Sequence, residues 1–268
     1  MIHRIPPTKL AIENAHPRDE FITFDEGPHV YTVHGDPTFT SVTTFIHFQF
    51  SDFDSDKIID KMMPKILNDP TYKYFGMTRE EIKEKWQQNG KEASGSGTKM
   101  HNDIELFYND VPVENDSIEY GYFKQFQREY ADKFKPYRTE WMVYYEELKL
   151  SGSIDMIFEN PDGTIQIYDW KRSKGIEYES YGDKCAKNKC ISHLPDSNFW
   201  HYSLQLNIYR AILEEKYGKK ITGMYLVCLH PDNYNKTYQR IEVHDLRKEV
   251  SDLFDERRKQ IENEKKTI

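Results

Sequence analysis

Residues 151–175 read SGSIDMIFENPDGTIQIYDWKRSKG, two apolar runs joined by Asn-Pro-Asp-Gly, with Asp155 inside the first run and Asp169 and Lys171 inside the second. Charges inside strands are costly unless they are paired or bound to a metal ion. Asn160-Pro161-Asp162-Gly163 matches a type I turn followed by a glycine suited to the left-handed position of a G1 bulge. A three-residue hairpin loop results, flanked by Asn160 and Thr164. Counting back along both arms sets Asp155 opposite Asp169 and Ser153 opposite Lys171. Opposed residues share a face with Cβ atoms roughly 4.5–5.5 Å apart, and alternation points Lys171 the same way as Asp169. Two such carboxylates repel unless a proton or cation lies between them. The pattern therefore reads as a site for one divalent cation with an ammonium beside it. The plainer alternative is a solvated face on which Asp169 and Lys171 form a surface pair worth little. Against it, Ile154, Met156, Phe158, Tyr168 and Trp170 are predicted on one face, and Ile157, Ile165 and Ile167 on the face with the charges. Apolar residues on both faces imply a covered strand pair.

The rest of the chain can support such a core. Its 268 residues, 37% of them hydrophobic, suit one domain with elaborations. No apolar run reaches the roughly 20 residues of a spanning helix, and the N-terminus lacks the apolar stretch of a signal peptide, so a soluble, intracellular protein without membrane contact is expected. Three cysteines, Cys185, Cys190 and Cys228, are too few for a disulfide scaffold. Cys185, Cys190 and His193 lack a fourth ligand for structural zinc. The net charge of -8 argues against a protein that coats nucleic acid by bulk charge, while local basic patches can still contact phosphate.

Residues Phe21 to Val33 read as a β-hairpin. Helical pieces opened by a hydroxyl cap are predicted from Thr40, then a helix from Thr78 through Gln88 whose Thr-Arg-Glu-Glu resembles a capping box. Glycines, a Thr98 cap and a short helix follow, then a longer amphipathic helix from Ser117 that ends before Pro136. Strands are predicted over Arg138 to Leu148, Ser153 to Phe158 and Thr164 to Trp170, then a helix from Asn198, strands at Ile221 and Tyr238, and a terminal helix. The order from Ser117 is α-β-β-β-α-β, a mixed α/β core flanked by helices.

Asp155 and then Asp169-Trp170-Lys171 resemble the signature of the PD-(D/E)XK nuclease superfamily. Further pieces resemble its RecB-type exonuclease branch, which includes the CRISPR-adaptation nucleases and the mitochondrial genome maintenance exonuclease. They are Gly97-Thr98, His101 and Glu105 before the core, Gly152 with Asp155 on the second strand, and Gln205 with Tyr209 on the following helix. The resemblance covers roughly Gly97 to Leu229 and implies the restriction-endonuclease-like αβββαβ fold with a mostly helical N-terminal extension. On that reading the chain is a single nuclease domain, with a hairpin and helical arm over 1–96, a nuclease core over 97–245 and a C-terminal helix over 246–268. Three cysteines cannot supply the four-cysteine iron–sulfur cluster of the CRISPR-adaptation members, so no cluster is expected.

The resemblance implies roles as well. Asp155, Asp169 and the Trp170 carbonyl would hold Mg²⁺ or Mn²⁺, with His101 as a further ligand and Glu105, four residues on, either binding a second metal or orienting His101. Lys171 would hold the attacking water and stabilise charge in the transition state. Gln205 and Tyr209 would brace the site or contact DNA, with His201 a weaker candidate for the same face. Arg172 and Lys174, in a lysine-rich loop that also carries Tyr178 and Tyr181, would track phosphates. Glu140, on the first strand, matches an acidic position of relatives, and surface charge explains it more simply. The expectation is a metal-dependent deoxyribonuclease, an exonuclease on single-stranded or frayed ends in replication, repair or recombination. The alternatives are an RNA endonuclease of the same fold and a non-catalytic nucleic-acid-binding or assembly subunit.

Overall fold

In the computed structural model, which describes residues 8–267, the chain divides into two compact units, one of Asp52–Lys99 and one made of the described residues on either side of it. In order, the elements are helix α1 (Lys9–Glu13), strands β1 (Ile22–Asp25), β2 (Val30–Val33) and β3 (Thr40–Ser41), helices α2 (Val42–His47), α3 (Ser55–Asn68), α4 (Arg79–Tyr108) and α5 (Ile118–Tyr130), and strands β4 (Lys135–Tyr145), β5 (Leu150–Glu159) and β6 (Ile165–Lys171). Helix α6 (Asn198–Lys216), strands β7 (Ile221–Cys228) and β8 (Gln239–Glu242) and helix α7 (Arg247–Thr267) complete the chain.

The predicted hairpin is β1 with β2. Each helix start below has its chemistry in the sequence: the Ser41 hydroxyl accepts from the Thr44 N–H, the Asp54 carboxylate from the Lys57 N–H and the Ser117 hydroxyl from the Tyr120 N–H, each satisfying an amide that the first helical turn leaves unpaired. The capping box at Thr78 forms as read, with the Thr78 amide donating to Glu81 Oε2 at 2.7 Å and the Glu81 amide to Thr78 Oγ1 at 3.2 Å. In the smaller unit, Ile59, Ile66, Tyr74 and Ile82 make a core of their own. The predicted Thr98 cap is not there. Helix α4 runs unbroken through Gly90, Gly95 and Gly97, because the roughly 1 kcal/mol that each glycine costs a helix relative to alanine is small beside the hydrogen bonds of a continuous thirty-residue rod.

A six-stranded sheet runs β3-β5-β6-β7-β8, with β4 on the other edge of β5. The β5–β6 turn is the three-residue loop read from the sequence, closed by Asn160 N–H to Thr164 O and Gly163 N–H to Asn160 O, with Gly163 at φ 78°. Pairing follows the predicted register through Ile157 with Ile167 and Met156 with Tyr168. There the ladder stops. Asp155 and Asp169 are not a backbone pair; the Asp155 carboxylate instead accepts the Trp170 N–H at 2.9 Å. Near its other end, β5 pairs in parallel with β3 at Leu150 and Ser151, where β4 already occupies the opposite edge. Strand β5 is thus forked, bound to β3 at one end and to β6 at the other.

A second irregularity accompanies the fork. Between β4 and β5 the rungs Thr139 with Met156 and Trp141 with Ile154 are regular, but the intervening rung of Glu140 and Asp155 is missing, and Glu140 has φ 41°. Across it the faces exchange. Trp141 and Ile154 pack with Ile157, Ile165 and Ile167 against α6, α2 and α7, whereas Met156, Phe158, Tyr168 and Trp170 pack against α4 and α5. Ile154 therefore lies on the face opposite to the one that simple alternation assigns it.

Candidate active site

The candidate side chains collect where the faces exchange. From α4, on one side of the sheet, His101 reaches the end of β6: its Nε2–H donates to the Trp170 carbonyl at 2.8 Å, which fixes the proton on that nitrogen since a carbonyl only accepts. Its Nδ1 lies 3.4 Å from Asp155 Oδ2 and 3.9 Å from Glu140 Oε1. His101, Glu140 and Asp155 each offer an atom within 4.8 Å of the others'. The Glu140 carboxylate is steadied by the Ser153 hydroxyl, which donates to Oε2 at 2.8 Å. Glu140 therefore belongs to this cluster. Its sequence gave one usable signal, an acidic residue on the strand before Asp155.

Asp169 and Lys171 lie on the α6 side. Lys171 Nζ is 2.7 Å from Asp169 Oδ2, with side-chain exposures of only 18% and 5%. That oxygen is buried and has no hydrogen-bond partner of good geometry, so the ammonium holds it as an ion pair alone. Asp169 stands outside the tight group of His101, Glu140 and Asp155, yet near enough to Asp155 for the two charges to affect each other.

Burial and neighbouring charges shift the ionisation of four of these groups. Burial, with the nearby Asp155 charge, pushes the Asp169 carboxyl up to about 6 against the opposing pull of Lys171. Burial and Glu140 raise Asp155 too, while His101 and Lys171 oppose them. Burial and Glu140 push Glu105 up to about 7. For His101, burial would lower the imidazole, but Asp155 and Glu140 outweigh it and hold it up at about 9. An imidazolium thus sits beside two carboxylates and offsets their charge.

Gln205 and Tyr209 lie one turn apart on α6. Both are buried on α6, Gln205 lies near enough to the Tyr209 hydroxyl to oppose the effect of burial on its ionisation, and a Cβ on Gly152 would lie 2.6 Å from that hydroxyl. Glycine three residues before Asp155 is what lets α6 close on β5. Other sequence candidates lie apart from this group. Arg172 is engaged by Glu119 at 2.7 Å in a largely buried ion pair, Lys174 is exposed and 3.5 Å from Asp232, and His201 pairs with Asp196 at 3.0 Å against the Phe50 ring. His193 meets Glu249 and the Cys190 thiol meets Asn188; neither belongs to a metal-binding group among the described residues.

The donor set fits a hard divalent cation. Carboxylate oxygens, a backbone carbonyl and one imidazole match what Mg²⁺ and Mn²⁺ accept, and the buried Asp169 Oδ2 meets the Lys171 ammonium but no hydrogen-bond donor of good geometry.

Comparison with known proteins gives an independent view. A sequence profile of the PD-(D/E)XK nuclease superfamily matches residues 77–267. A crystal structure of a repair endonuclease from Pyrococcus abyssi is similar at 18% identity with a TM-score of 0.25, over 45% of this chain and 41% of that one. A structure of an EndoMS complex with double-stranded DNA is similar at 18% identity and a TM-score of 0.25, over 43% of this chain and 40% of that one. The chain thus spans under half the length of these solved structures. The comparison with curated proteins returned no match.

Proposed function

The chain belongs to the PD-(D/E)XK nuclease superfamily, and from that premise we propose that it is a metal-dependent deoxyribonuclease of the RecB type, cutting phosphodiester bonds from single-stranded or frayed DNA ends during replication, repair or recombination. The observation that carries this reading is the meeting of His101, Asp155, Asp169 and Lys171, all largely shielded from solvent, at one end of β6. Asp155, Asp169, the Trp170 carbonyl and His101 would hold Mg²⁺ or Mn²⁺, with Glu140 beside them. Such an ion lowers the pKa of a bound water and polarises the scissile phosphate.

The chain's own groups do the rest. Lys171 carries a fixed positive charge, because burial, which would lower its pKa, is outweighed by Asp169 and Asp155. It can hold the attacking water and meet the charge that grows on phosphate oxygens in the transition state. The Trp170 amide locks the Asp155 carboxylate, and the Trp170 carbonyl locks the His101 ring, so two ligands are oriented by one residue of β6. In the free protein the His101 imidazolium must lose its proton before it can bind a metal. Lys174 and the exposed Tyr178 and Tyr181 are suited to contact a single strand beyond the cut, while Arg172 would first have to leave Glu119.

Incubating the protein with end-labelled linear and circular single strands, matched duplexes and RNA of one sequence, in Mg²⁺, Mn²⁺ or EDTA, tests the reading. Divalent-dependent release from linear DNA is expected, lost by at least about a hundredfold in Asp155→Asn and Lys171→Ala, as for removal of a group acting directly on the transition state. No cleavage with any divalent ion would overturn it, and faster cleavage of RNA would replace its substrate.

A further inference from the structure

Helix α6 brings a side chain to the site that no motif names. Tyr202 precedes Gln205 by three residues and Tyr209 by seven, spacing that puts all three on one helix face. Tyr209 meets β5 at Gly152, and Tyr202 meets β6 at Lys171. Lys171 Nζ stands over the Tyr202 ring, 4.3 Å from its centroid, and 2.7 Å from Asp169 Oδ2. The ring is half-buried and packed against the main core, so it has little room to swing away.

The negative face of an aromatic ring attracts a cation, and the attraction grows when both are removed from water. A lysine side chain is a long flexible stem ending in a compact charge. The carboxylate alone, two residues back on the same strand, pulls that charge along the sheet. The ring on α6 pulls it off the sheet. Two attractions from different elements leave the ammonium one resting place.

We propose that Tyr202 is a positioning residue for Lys171, its ring face holding the ammonium where it meets the reacting phosphate and not against Asp169 alone. The catalytic consequence rests on the nuclease reading; the contact itself does not. Asp169 is left freer by this arrangement, since a cation shared with a ring presses less on the carboxylate that a metal must use.

A fluorination series separates the ring's charge distribution from its bulk. Phenylalanine, 4-fluoro-, 3,5-difluoro- and 3,4,5-trifluorophenylalanine placed at position 202 keep nearly the same volume while stripping the negative face. In EDTA, the melting temperature should fall stepwise along the series in the Lys171 protein and stay level in a Lys171→Met background, or in Lys171→Gln if that variant folds better. In cleavage assays kcat should fall stepwise by about tenfold across the series, with KM within about twofold, the loss expected of a desolvated cation–aromatic contact. Level melting and level kcat would overturn the proposal. So would a series that moves KM and not kcat, which marks a ring that stacks on substrate bases. If no divalent ion supports cleavage by the unaltered protein, the nuclease reading fails, and the melting series still decides whether the ring holds the ammonium.

Discussion

At Gly152 a methyl group would lie 2.6 Å from the Tyr209 hydroxyl and 2.9 Å from its Cε1, and Tyr209 is fixed by burial on α6. Gly152→Ala should cost about 1–3 kcal/mol, the range for overpacking a well-packed site, measured by denaturant unfolding. Tyr209→Phe in the same chain should return part of that cost, since the two changes share one contact. The titrating groups make a second prediction. Glu105 is raised to about 7 and Asp169 to about 6, so folding favours their protonated forms: their penalty is absent below the ordinary carboxylate range and complete above those values. His101 is raised to about 9, so its contribution is full below the ordinary imidazole value and lost as pH rises through 9. All three have the same sign. The melting temperature in EDTA should carry a component that falls steadily from pH 5 to pH 9, and Glu105→Gln should make the fall below about pH 7 shallower, leaving the share of Asp169. A Glu105→Gln profile parallel to the parent's in that window would show that Glu105 ionises normally.

Helix α6 is tied to the chain ahead of α7 by Asn207, beside the Arg210–Asp245 ion pair. Asn207 donates to the Ser203 and His244 carbonyls at 2.7 and 2.8 Å and accepts the Leu246 N–H at 2.8 Å. Asn207→Leu should cost roughly 1–3 kcal/mol for each buried backbone group left unpaired, seen as an earlier unfolding midpoint. Much at this scale was legible in the sequence. Pro161, Asp162 and Gly163 specify one loop length, and loop length sets register, so Met156 and Tyr168 could be paired by counting. What counting missed is the exchange of faces at Glu140 and Asp155. A non-glycine residue in the left-handed region carries no compositional mark, and so both the break in the ladder and the crossing of Ile154 were hidden. Glu140 was undervalued for the same reason: alternation along β4 gives no hint that its carboxylate turns toward His101. Helix α4 misled in the opposite direction, since three glycines signal a break that long-range helical hydrogen bonding overrides. Arg172 looked available for phosphate because nothing local announces Glu119, fifty-three residues earlier.

For the whole molecule, a cation that binds only the folded state must raise its stability by mass action, about 2.7 kcal/mol when present at a hundred times its dissociation constant. Scanning calorimetry should therefore show Mn²⁺ or Mg²⁺ raising the melting temperature, with the rise lost in Asp155→Asn and diminished in Glu140→Gln. An equal rise in all three proteins would move the ion elsewhere. The overall charge of -8 adds that any nucleic acid must be met by local patches against a repelling background, so binding should weaken steeply with salt only where those patches neutralise phosphates. Among the described residues no helix is long and apolar enough to cross a membrane. Glu140, at φ 41°, occupies a conformation that costs an L-residue roughly 1–2 kcal/mol and that glycine adopts freely. A redesign aimed only at heat resistance would choose glycine there, and would gain its degrees by deleting the carboxylate that faces the imidazole. Durability and chemistry compete at that position, and a screen for hardier variants that ignores turnover would find it early.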